Sequence, residues 1–146
     1  MRVPSLLRRL ARDEGGSTAV EFGLLGTFMI ALLLGVLQIG IAMQNYNALR
    51  GISADVSRHA VVQYQNDNEL TNTEIETWAR ARATNPPYAL PATGMTVTVT
   101  TAANQRVTGA LELNLFIRTK VTSLLELIGI DDFHISYSRP IFVVNS

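Results

Sequence analysis

GGSTAVEFGLLGTFMIALLLGVLQIGIAM, residues 15–43, is the stretch on which the fold turns. From Phe22 to Met43 it runs 22 residues with only Thr27 and Gln38 as clearly polar side chains. At about 1.5 Å per residue a helix of that length reaches roughly 33 Å, enough to cross a hydrocarbon core. The competing reading is a buried core helix of a soluble protein, but such helices rarely stay apolar on every side for so long. The segment is therefore read as a transmembrane helix. Arg2, Arg8, Arg9 and Arg12 precede it and only Arg50 follows closely, so the positive-inside rule puts the N-terminus in the cytoplasm and the chain from Gln44 onward outside. A cleaved secretory signal would use Gly40 and Ala42 as small residues before a cut. Its apolar core would be about 7–15 residues long and would not start at an acid such as Glu21.

Small residues recur at every fourth position, at Ala19, Gly23, Thr27, Ala31 and Gly35, a stripe on which another helix could approach closely. Membrane helices are rich in glycine and alanine in any case, so both readings of the stripe stay open.

At 146 residues the chain has room for one small domain plus an anchor. Twelve basic residues balance twelve acidic ones, so no global field draws the protein to nucleic acid. The balance is uneven: in residues 1–16 four arginines face Asp13 and Glu14, a net of +2. No cysteine is present, which excludes disulfide scaffolds, thiolate zinc sites and thiol nucleophiles.

The segment GG-STAVEF is a glycine, four uncharged residues, a glutamate and an aromatic directly before the apolar run. It resembles the type IV prepilin processing site, and more closely that of the TadE-like pseudopilins of tight adherence (Flp) pilus systems. The resemblance covers about residues 8–45. It implies that an inner-membrane prepilin peptidase cuts after Gly16, that Ser17 becomes the new N-terminus, and that Glu21 is fifth in the mature chain. Cutting after Gly15 would make the glutamate sixth. The resemblance further implies that Glu21 and Phe22 are read by the peptidase or during assembly. Two departures are visible: many family members carry tyrosine where this chain has Phe22, and Ser17 replaces the methylated phenylalanine of ordinary type IV pilins.

The spacing also has a physical rationale. A cut exposes an α-amino group at the membrane edge, where an uncompensated charge is costly. Four helical residues turn about 400°, so Ser17 and Glu21 share a face and the carboxylate can meet its own amine or one on a neighbouring subunit. In the plainer account Glu21 rests in the headgroup zone beside the positive end of the helix.

Beyond Gln44 the helix continues, with Leu49, Ile52, Val56 and Ala60 at helical intervals. After the polar break QNDNELTNT a short helix is expected over residues 73–83, ended by Pro86 and Pro87, with Glu74 or Glu76 spaced to pair with Arg80. Met95, Val97 and Val99 alternate with threonines in a first strand, and Leu111, Leu113, Leu115 and Ile117 alternate with Glu112, Asn114, Phe116 and Arg118 in a second. VTSLLELIG, residues 121–129, reads as a short apolar helix, and Phe133, Ile135 and Tyr137 open a third strand that Pro140 confines to an edge or bends. The expected fold is α+β and pilin-like: a long N-terminal helix packed on a small antiparallel sheet, with short extra helices. Its division is a basic cytoplasmic leader over 1–16, a transmembrane helix over 17–43 and an outward domain over 44–146.

No catalytic constellation emerges. His59 and His134 have no metal-ligand spacing, so no metal or other cofactor is expected. Ser53, Asp55 and His59 are triad residue types, but Ser53 lies about 200° round the helix from Asp55. Asp131 and Asp132 read as solvated turn residues, and Trp78 as a packing residue. The expectation is a non-enzymatic pseudopilin or minor pilin of Flp pilus assembly in the bacterial inner membrane. Its partners would be the peptidase, other pilin-like subunits, inner-membrane assembly proteins and lipid, with no nucleic acid. The alternative is an uncleaved single-pass protein displaying a periplasmic binding module in an envelope complex.

Overall fold

The computed structural model describes residues 14–126 and 129–144. The arginines of the expected leader lie outside the described residues. The elements run α1 (Glu14–Gln65), α2 (Asn72–Thr84), β1 (Thr96–Thr101), β2 (Leu111–Val121) and β3 (Phe133–Val143). The chain forms two compact units, Met1–Leu37 and Gln38–Ser146, and α1 contributes to both.

Within the first unit α1 is apolar on all sides. Phe22, Leu24, Leu25, Phe28, Met29, Ile30, Leu33 and Val36 are all exposed. A helix that turns large apolar side chains outward in every direction lacks a polar face to give to water. By length and composition it can cross a membrane, which points to membrane anchoring.

The second unit has an ordinary core. Leu49, Ile52, Val56 and Ala60, the stripe read from the sequence, have no exposed surface and join Tyr64, Val97, Val99, Leu113, Leu115, Ile117, Ile141 and Val143 in one cluster. The α+β architecture is thus the one expected. The sheet is antiparallel in the order β1-β2-β3, with Val97 opposite Ile117 and Leu115 opposite Arg139. Pro140 stands on the edge strand β3, where a missing backbone donor disrupts least.

α2 starts at a capping box. Thr71 accepts from the Glu74 backbone N–H, and the Glu74 carboxylate accepts from that of Thr71. These bonds hold the Glu74 carboxyl below its ordinary range. Ile75, Ala79 and Ala83 turn inward from this helix. The expected pairing of Glu74 or Glu76 with Arg80 is replaced by bonds to other partners. Glu76 accepts from the Val99 backbone N–H at 2.7 Å, and Arg80 donates to the Met95 carbonyl at 3.2 Å. Both serve backbone groups at the outer side of β1, which an edge strand would otherwise leave unpaired.

The short helix expected over residues 121–129 does not start at Val121. Val121 is the last residue of β2, residues 124–125 form a turn, Glu126 is 3₁₀-helical, and residues 127–128 of the expected helix lie outside the described residues. Hydrogen bonds from outside the turn fix it there. Gln38 donates its amide to the Thr122 carbonyl at 3.3 Å and accepts the Leu124 N–H at 2.7 Å, while Asp132 accepts the Ser123 N–H at 2.7 Å. Backbone groups that follow the end of β2 are thereby paired with side chains.

Candidate functional site

The residues singled out from the sequence sit at the beginning of α1. Gly16 and Ser17 fall in its first turn, where backbone N–H groups have no intrahelical acceptor. Glycine costs about 1 kcal/mol of helix propensity relative to alanine, so the Gly15–Gly16 pair makes this turn inexpensive to unwind. The Ser17 hydroxyl donates to Glu21 Oε1 at 3.3 Å, one turn along the same exposed face. Phe22 projects outward beside Glu21, exposed like Val20. A carboxylate here lies near the positive end of the helix dipole and within reach of whatever group occupies residue 17.

The stripe residues Ala19, Gly23 and Thr27 are exposed, and Ala31 and Gly35 half-exposed. A Cβ added at Gly23 or Gly35 would meet nothing within 4 Å among the described residues. Thr27 donates its hydroxyl to the Gly23 carbonyl at 2.8 Å, which satisfies a polar group inside an apolar run. Steps of four residues advance about 40° round a helix, so the row winds as an inclined ridge of the kind that packs helices at an angle.

The triad residue types go separate ways. Ser53 is buried and donates to the Arg50 carbonyl at 2.8 Å. Asp55 accepts from Arg82 Nε at 2.9 Å and from the Tyr88 hydroxyl at 3.1 Å, and the Arg82 guanidinium lies over the Tyr88 ring. His59 stacks on Trp78 with ring centroids 4.1 Å apart and planes within 5°, and burial lowers its pKa. His134 is exposed on β3. Among the described residues no group of three or more metal-ligating side chains is found.

Three polar residues have roles that the sequence did not suggest. Glu112, placed on the outer face by strand alternation, is buried and bound by both Arg106 Nε and Nη2, which hold its carboxyl below the ordinary range. Asp132 is a structural anchor rather than a solvated turn residue, paired with Lys120 Nζ at 2.6 Å. Gln38 ties α1 to a turn 84 residues away. No local pattern announces these pairings, since each depends on tertiary proximity.

Residues 16–58 match the TadE-like protein family. No curated protein and no solved structure matches the chain. The TadE-like segment opens at Gly16 and takes in Glu21, the small-residue stripe and the core residues Leu49, Ile52 and Val56 of α1, under a third of the 146 residues. The TadE-like family implies involvement in Tad/Flp pilus assembly and interaction with other pilus components, and it is a structural and assembly family rather than one known for enzymes.

Proposed function

We propose that this chain is a pseudopilin or minor pilin-like structural component of the tight-adherence pilus machinery. It inserts with its arginine-rich leader in the cytoplasm and its second unit in the periplasm of a bacterial inner membrane, where a prepilin peptidase cuts between Gly16 and Ser17. The observation that carries this reading is the TadE-like match beginning at Gly16, on a helix whose Ser17 and Glu21 side chains already meet at 3.3 Å. Cleavage would put a cationic amine on Ser17, at the positive end of α1 and beside apolar surface. Glu21 then supplies the compensating charge, to its own amine or to that of an adjacent subunit. The glycine-weakened first turn lets the scissile bond open to an extended form before it is cut. The stripe Ala19, Gly23, Thr27, Ala31 and Gly35 would be the ridge on which other pilin-like helices or inner-membrane assembly proteins pack.

N-terminal sequencing of membrane-extracted protein tests the reading directly. Ser17 should be first, and Gly16→Lys should leave the leader attached. Glu21→Ala should be cut normally yet fail to assemble. Full-length protein recovered from cells that mature their other pilus subunits would leave the uncleaved anchored module as the correct description.

A further inference from the structure

α1 enters the second unit before its apolar run has ended. From Phe22 to Leu37 the helix rises roughly 24 Å, short of the ~30 Å of a hydrocarbon core, and about four more residues are required to complete the span. Those residues, Gln38 to Ile41, belong to the second unit and bring the turn bound to Gln38 with them. Among the described residues, several polar groups at this level are paired in the manner that a lipid environment demands. Both ends of the Gln38 amide are used, the Leu125 N–H donates to Ser123 Oγ, and the Ile130 N–H donates to the Leu125 carbonyl. The apolar side chains do the reverse and point out: Ile39 is 63% exposed, Met43 61%, Leu124 41% and Ile130 46%. Ile39 and Met43 also line an open groove of about 390 Å³ with Gln38, Ala42, Tyr46, Phe133 and Ile135.

We infer that this surface is an interfacial lipid site: Leu124 and Ile130 rest among the phospholipids of the outward-facing leaflet. The depth is bounded on the water side. Glu126 and Asp131 are exposed, the Lys120–Asp132 pair is half-exposed, and Tyr46, in edge-to-face contact with Tyr137, stands about a turn beyond Ile41. Such charged and aromatic groups belong at headgroup level. The site requires that α1 cross a membrane, but neither leader cleavage nor pilus assembly, so its test is separate from that of the proposed function.

The chain lacks cysteine, which allows single labels in the full-length protein. Leu124→Cys, Ile130→Cys, Leu32→Cys and Asn104→Cys, each carrying an environment-sensitive fluorophore, are reconstituted in phosphatidylethanolamine–phosphatidylglycerol vesicles. Labels at 124 and 130 should be quenched several-fold more by nitroxide-bearing lipid, and several-fold less by aqueous iodide, than the label at 104. This contrast should persist when the protein is diluted into excess lipid. Iodide access at 124 and 130 equal to that at 104, with 32 shielded, overturns the inference. So does shielding that vanishes on dilution, which would make a second copy of the chain the occupant. Iodide access at 32 overturns the transmembrane premise and the inference with it.

Discussion

Gly51→Ala tests how Tyr88 packs on α1 within the second unit. A Cβ at this position would stand 2.7 Å from both Cε1 and the hydroxyl oxygen of Tyr88, closer than such atoms come in folded proteins. The helix itself would gain about 1 kcal/mol from the exchange. Against that, the ring must withdraw from Asp55, to which it donates at 3.1 Å, and from the Arg82 guanidinium, 5.3 Å from its centroid. Asp55 keeps Arg82 and the cluster is partly solvated, so the low ends of the usual ranges apply, together about 2 kcal/mol for the charged hydrogen bond and the cation–π contact. The expected net effect is a loss of about 1 kcal/mol, set by the larger of two opposed terms. In a Tyr88→Ala background the clash is gone and the same substitution should stabilise by about 1 kcal/mol, a coupling near 2 kcal/mol. Denaturant unfolding of the full chain in detergent micelles, followed by the fluorescence of its single tryptophan, Trp78, measures all four proteins. Equal stabilisation in both backgrounds would refute the reasoning.

Three further outcomes are expected. Ile117→Ala, in the centre of β2 with no exposed surface, should cost about 2–5 kcal/mol in the same assay; a loss within error would remove it from the core. Gln38→Leu leaves the Thr122 carbonyl and the Leu124 N–H without their partner, at about 1–3 kcal/mol, and hydrogen exchange at Leu124 should accelerate. Acid should destabilise the fold in two stages. Burial lowers the pKa of His59, which shares its groove with Asp55, Arg58 and Arg82, so its contribution is full above the ordinary 6.5 and declines as pH falls toward the folded value. Glu112, lowered by Arg106, contributes above the ordinary 4.5 and loses that contribution as pH falls through its own folded value. His59→Phe should erase the first decline in a pH series of unfolding midpoints and keep the second.

The periodic parts of this fold were legible in the sequence. Leu49, Ile52, Val56 and Ala60 repeat at helical spacing and are fully buried, and the Val–Thr alternation of β1 and the leucines of β2 mark their inner faces. Periodicity reports one face of one element, and it failed where a partner from elsewhere decided the outcome. Glu112 was assigned outward by alternation, yet Arg106 gives it a charged partner that permits burial. Residues 121–123 read as the start of a helix, yet β2 runs on to Val121, and Gln38 and Asp132 bind the backbone of the residues that follow. At the candidate site the Ser17–Glu21 contact followed from helical spacing alone.

The bond between Gln38 and Thr122 has a consequence for biogenesis. At about 5–20 residues per second, a ribosome delivers the carbonyl acceptor roughly 4–17 s after the glutamine that needs it, the two being 84 residues apart. The core face of α1 in the second unit waits longer still, because β3, the last strand to be made, follows Thr122. Slowing translation between α2 and β2 would lengthen that interval.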